Sequence, residues 1–232
     1  PPRSRAEGRP VSRVVLKLGG RVAVAAAGQA LELVRSGHEV IVVHGAGPQI
    51  SAELERRGIP VEFVNGRRVT SPAALAVVQE SLVAVGAELS AVLGPAALPL
   101  VGDEIGLRAR PLPELGLVGV PLPCRPAAIE AALAAGRIPV VGPIAVGPLN
   151  VNADEAAAAL AAGLAADRIV FVSDVPGVLV EGVVARRLDA AAADRMLLAG
   201  DFEGGIVPKL VAAVRAARLG IEAEIGTTAV VA

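Results

Sequence analysis

Aromatic side chains are almost missing from this chain: it has no tryptophan, no tyrosine and three phenylalanines. Only Phe63, Phe171 and Phe202 are therefore available to stack on a planar ligand. Any purine would be held mainly by aliphatic walls and backbone hydrogen bonds. A single cysteine, Cys124, excludes an intrachain disulfide, and with two histidines a Cys/His metal cluster is excluded as well. Cys124 is expected to be a packing residue in a reducing, cytoplasmic setting. Neither sign of charge dominates, since 22 basic and 23 acidic residues leave a formal net charge of −1. No basic stripe suited to a phosphodiester backbone is present, which argues against nucleic acid as a partner. A run of about 18 uninterrupted apolar residues is also lacking, so no membrane partner is expected. The opening PPRSRAEGRP is basic and proline-rich without an apolar h-region, and residues 1–12 read as a disordered leader.

What the chain does have is a 53% hydrophobic composition over 232 residues, enough for one large domain or two fused lobes. Short β-branched runs alternate with Ala/Leu-rich segments of helical period: RVVLKL, AAAGQALELVRSG, EVIVVHG, PQISAELERRG. That alternation predicts an α/β fold, a three-layer αβα sandwich around a mainly parallel buried sheet. A long helix is predicted from Ser71, its cap, with Pro72 at its first position. Residues 95–122 are rich in Gly and Pro between short apolar runs and predict antiparallel hairpins on one sheet edge. Two lobes sharing a sheet are expected, residues 13–163 binding an acidic substrate and mediating dimerisation, and residues 164–232 binding a nucleotide, with a cleft between them.

Several segments place chemistry at strand ends. Lys17 closes VVLKL and is followed by Gly19 and Gly20, where backbone can approach phosphate oxygens closely. A lysine there can equally snorkel into solvent. The turn HGAGP sets Gly45, Ala46 and Gly47 before a helix expected from Pro48, a geometry that suits a carboxylate or phosphate. It lacks the third glycine of a dinucleotide fingerprint. In NGRRVT, one of Arg67 and Arg68 is expected to face the cleft, where a guanidinium can clamp a carboxylate with two bonds. LNVNADEAAAAL carries Asn150, Asn152 and Asp154 two apart, which in an extended segment would point all three to one side; one of them could also cap the helix. FVSDVPG ends a strand with Ser173 and Asp174, and FEGGIVPKL sets Gly204 and Gly205 before Lys209, in the first turn of a helix marked by Pro208.

Taken in order from Val14, these segments resemble the amino acid kinase family: K-x-G-G at Lys17, HGAGP, GRRVT, NVNAD, SDVPG and GGIVPK. Six motifs in sequence are far more specific than any one. The resemblance implies transfer of the γ-phosphoryl group of ATP to the side-chain carboxylate of N-acetyl-L-glutamate, with a carrier-linked aminoadipate or glutamate as the alternative acceptor and a non-catalytic sensor as the alternative role. It implies that Lys17 and Lys209 flank the phosphoryl group, with Asp154 holding both lysines. Gly45, Ala46, Arg68 and Asn150 would bind the acidic substrate, Arg68 taking its α-carboxylate. Gly19, Gly20, Ser173, Asp174, Val175, Gly177, Val178, Gly204 and Gly205 would contact the nucleotide. Mg²⁺ would ride on the ATP phosphates, with no direct protein ligand. Two departures stand out: Ala46 replaces a glycine of the family turn, and Ile206 replaces a methionine. Because the leader is too short for the extra helix of arginine-inhibited hexameric members, a homodimer insensitive to arginine is expected.

Overall fold

A computed structural model describes residues 11–19, 23–172 and 174–232. Most of the expected leader, Gly20 and Ser173 therefore lie outside the described residues. The chain opens with β1 (Arg13–Leu18), α1 (Ala23–Arg35), β2 (Glu39–His44) and α2 (Gly47–Arg56). A small hairpin, β3 (Phe63–Val64) and β4 (Arg67–Arg68), precedes the long α3 (Pro72–Leu93) and then β5 (Ala97–Val101). Next come β6 (Ala109–Pro111), β7 (Val118–Pro121), α4 (Ala127–Ala134), β8 (Ile138–Gly142), β9 (Ile144–Ala145) and β10 (Leu149–Val151). The last part holds α5 (Ala153–Gly163), β11 (Arg168–Val172), β12 (Leu179–Val180), β13 (Val183–Val184) and β14 (Arg187–Asp189), followed by α6 (Ala190–Ala199), α7 (Ile206–Arg218), β15 (Glu222–Ile225) and β16 (Thr228–Val231).

Eight strands form the central sheet in the order β14-β16-β15-β11-β1-β2-β8-β5. All neighbours run parallel except β15 and β16. β1 lies between β2, which follows it through α1, and β11, which follows α5, so the sheet grows outward from β1 on both sides. Ligands in such sheets collect beyond the carboxyl ends of the strands at that switch point.

Strand period decides which helices each β1 residue meets. Val14, Leu16 and Leu18 are buried in a cluster with α1 and the end of α3, whereas Val15 belongs to the cluster formed with α5 and α7. Lys17 alternates with Leu16 and so faces α5 and α7. Burying each of these aliphatic side chains contributes about 1.5–3 kcal/mol, which fixes the register and with it the lysine's side of the sheet. α5 comes close because it is mostly alanine, with Ala156 to Ala159 and Ala161 all buried. At its end Gly163 abuts the Cys124 backbone so tightly that an added Cβ would stand 2.0 Å from the Cys124 carbonyl oxygen. Cys124 is a buried free thiol in that core.

The region 95–122 departs from expectation. Its first run is not a hairpin: it is β5, the parallel edge strand beside β8. Pro99 within it is tolerated because an edge strand leaves one row of N–H groups unpaired. The antiparallel pair β6 and β7 does form, but in a separate four-stranded sheet with β10 and β9. α3, capped by Ser71 with Pro72 in its first turn, is by length and composition apolar enough to cross a bilayer. Its buried side chains, including Val77, Val78, Leu82, Val85 and Leu89, pack in the clusters under α1 and α2.

Candidate active site

Lys17 does not snorkel to solvent. It is 5% exposed, and its Nζ lies 2.8 Å from Oδ1 of Asp154, itself 4% exposed. Asp154 stands in the first turn of α5, where the helix N-terminus favours a negative charge. Asn152 is the cap of that helix, accepting from the N–H groups of Asp154 at 2.8 Å and Glu155 at 3.2 Å. The direction of Asp154 is thus set by a helical turn and not by strand alternation, which corrects the extended reading of Asn150, Asn152 and Asp154. All three still line one cavity. On its far side, Lys209 of α7 brings Nζ to 3.8 Å from Asp154 Oδ2 and donates to the Gly205 carbonyl at 3.0 Å. Burial lowers the Lys209 pKa, and the Lys17 charge lowers it further, while Asp154 and Asp174 oppose both effects. Two ammonium groups therefore share the Asp154 carboxylate, one on each of its oxygens.

The second basic group comes from the β3–β4 hairpin. Asn65 and Gly66 both have positive φ, 49° and 74°, the pattern of a two-residue type I′ turn. That turn pairs Phe63 with Arg68 across the strands. The Arg68 guanidinium lies over the Phe63 ring at 4.5 Å from its centroid, and Nη2 donates to the Gly47 carbonyl and to Ser51 Oγ. Nη1 is buried without a hydrogen-bond partner, and no carboxylate pairs with Arg68 among the described residues. Burial lowers the Arg68 pKa. Nη1 is thus a buried cationic donor left over for a further acceptor, and a carboxylate suits it. Both Arg67 and Arg68 line the cavity, where one had been expected. Phe63 was considered in the sequence for base stacking only. Its service to Arg68 was legible in the Asn-Gly turn that fixes the register.

A cavity of about 860 Å³ joins these groups, and Gly19, Gly45, Ala46 and Asn150 line it as well. Gly45 and Gly19 spend their own N–H groups on Leu18 and Val172 carbonyls, closing the strand ends. Asn150 Nδ2 donates to Thr70 Oγ1, which in turn donates to the Arg68 carbonyl. His44, at the end of β2, has its pKa lowered to about 4 by burial and is a neutral imidazole at physiological pH. The other end of the cavity is lined by Asp174, Val175, Gly177, Phe202, Glu203 and Gly205. Val178, also expected at the nucleotide, has a fully buried side chain, and its N–H donates to Thr228 Oγ1. Gly204 is an exposed turn residue between Glu203 and Gly205, which line the cavity. Phe171 is buried in the sheet core, so only Phe202 remains an aromatic wall free of Arg68.

An αβα sandwich with paired lysines at its switch point is the architecture of a phosphoryl-transfer enzyme. The chain belongs to the amino acid kinase family, whose profile matches residues 12–227. It is similar to the acetylglutamate kinase of Chloroflexus aggregans, 40% identical over 197 residues that span 78% of this chain and 77% of that protein. It is also similar to the acetylglutamate kinase of Rubrobacter xylanophilus, 38% identical with 91% and 87% of the two chains covered. Among solved structures it superimposes on smu.665 from Streptococcus mutans UA159 with a TM-score of 0.85 at 27% identity, over 94% of this chain and 98% of that one.

Proposed function

We propose that this kinase transfers the γ-phosphoryl group of ATP to the side-chain carboxylate of N-acetyl-L-glutamate, forming an acyl phosphate in arginine biosynthesis. The observation that carries the reading is the pair of lysines sharing Asp154 in the same cavity as the unpaired Nη1 of Arg68. The names of the relatives support the choice of acceptor.

The acceptor carboxylate is ionised at neutral pH, so no general base is required and the protein's work is alignment and charge neutralisation. Lys17 and Lys209 lie on either side of the transferring group, and Asp154 holds them apart and in place. Arg68 receives the α-carboxylate through Nη1, with Gly45, Ala46 and Asn150 around the rest of the acceptor. Ala46, 2% exposed and at φ −133°, keeps its methyl in the apolar cluster with Ile50 and Leu54, which leaves room for an acetylglutamate-sized acceptor. Gly19, Asp174, Val175, Gly177 and Gly205 contact the nucleotide, and Gly20 and Ser173 join them on the family resemblance alone. Mg²⁺ when bound neutralises phosphate charge and is carried by the nucleotide. Residues 13–163 form the acceptor-binding and dimerising lobe, residues 164–232 the nucleotide lobe, and the enzyme acts as a cytoplasmic homodimer.

The test is ADP release from MgATP with N-acetyl-L-glutamate, hydroxylamine being present to trap the acyl phosphate. Matched ADP and hydroxamate are expected; ATP binding with no hydroxamate overturns the acceptor assignment. Arg68→Ala should raise the KM for N-acetylglutamate by roughly 10- to 100-fold, the size of a lost charged hydrogen bond, and leave the KM for MgATP nearly unchanged. Equal increases in both constants would remove Arg68 from the acceptor site.

A further inference from the structure

Two charged residues border the site without a part in the reaction described. Arg67 precedes Arg68 in β4, and Glu155 follows Asp154 in α5. They meet in a two-point contact, Nη2 to Oε1 at 2.5 Å and Nε to Oε2 at 3.3 Å. Asn152-Ala-Asp-Glu155 has the spacing of a capping box, in which the glutamate turns back to the backbone of its own cap. Asn152 performs its half of that motif, but the Glu155 carboxylate is forked by Arg67 from the hairpin instead.

Other contacts reinforce the link. Asn152 Nδ2 donates to the Gly66 carbonyl at 3.3 Å, and Gly66 lies against Pro208, where an added Cβ would stand 3.7 Å from Cγ. The hairpin that carries Arg68 therefore touches both helices that carry Asp154 and Lys209. The Arg67 and Glu155 side chains are 24% and 15% exposed, so their attraction is screened less than that of a surface pair.

We propose that Arg67 and Glu155 are a positioning pair that fixes the Arg68 acceptor clamp relative to the Asp154 lysine bridge. The inference rests on the acetylglutamate kinase reading for its substrate. Each member is the chain neighbour of a site residue, so the fork transmits orientation as well as distance between clamp and bridge. Displacements of about 1 Å between reacting groups lower rates by up to 10²-fold, which is why such a strut matters.

Arg67→Leu, Glu155→Gln and the double variant of the full chain test it by steady-state kinetics and by hydrogen exchange of residues 62–69. Each single change should raise the KM for N-acetylglutamate about tenfold and move the KM for MgATP less than about twofold, a coupling usual for residues in direct contact. The double variant should be no worse than either single, and exchange in the hairpin should quicken equally in all three. Arg67→Lys, which keeps the charge and loses the fork, should fall between wild type and Arg67→Leu. Additive losses, parallel rises in both KM values, or unchanged hairpin exchange would overturn the pair. A wild-type enzyme inactive on N-acetylglutamate would fail the acceptor reading alone, and the exchange comparison would still decide the pair.

Discussion

Replacing Lys17 with alanine should lower kcat by roughly 10²- to 10³-fold, the usual consequence of removing one donor aimed at charge that develops in the transition state. The residue's placement sets this expectation apart from that for a surface lysine. The residue is 5% exposed and its ammonium is paired at 2.8 Å, so its field is little diluted by water. In the proposed reaction a carboxylate approaches a triphosphate and like charges come together, and Lys17 and Lys209 are the cations assigned to face that approach. Lys17→Arg should recover little of the loss, because a planar fork cannot reproduce a compact ammonium held between strand end and helix start. Single-turnover rates on folded protein, with nucleotide affinity measured separately, give the answer. Turnover near the wild-type value would remove Lys17 from the chemistry.

Asp154→Asn is expected to damage stability and activity together. It leaves Lys17 buried with no opposite charge, and breaking one side of a buried pair commonly costs about 3–5 kcal/mol. The two lysines would also repel each other across the gap the carboxylate now bridges at 2.8 and 3.8 Å. Urea unfolding should show a lower midpoint with an unchanged slope. Combining Asp154→Asn with Lys17→Met should restore most of the midpoint, because the unpaired charge is gone, yet leave the enzyme inactive. A single variant as stable as wild type would mean that Asp154 does not hold the lysines. A double variant no more stable than the single would mean that the loss arises elsewhere, for example in the α5 cap.

Much of this was legible in the sequence where local physics and tertiary packing agree. RVVLKL and EVIVVH form two adjacent interior parallel strands because nearly every position is buried and β-branching suits a pleated surface. Ser71-Pro72 announced a helix start, whereas the hairpin signal of Asn65-Gly66 was passed over. Legibility ended where a residue's partner is distant in sequence. ALPLV fell within the Gly- and Pro-rich stretch read as hairpins, and its Pro99 is compatible with the edge position that β5 takes. Glu155 was not singled out, its partner Arg67 lying 88 positions away in the chain. Val178 lay in a segment read as nucleotide-facing, but its neighbours Gly177 and Leu179 line the cavity while it faces the core.

The two faces of β1 carry one further consequence. Leu16 and Leu18 belong to the aliphatic cluster under α1, and Lys17 belongs to the opposite side, so the strand is read by parity. Inserting one residue between Arg13 and Lys17 would drive the ammonium into hydrocarbon and turn a leucine toward the cleft. Adding a residue to the turn at 181–182, between β12 and β13, would alter no such parity. Tolerance to changes in length along this chain therefore follows the odd and even positions of its central strands, and not merely distance from the substrate.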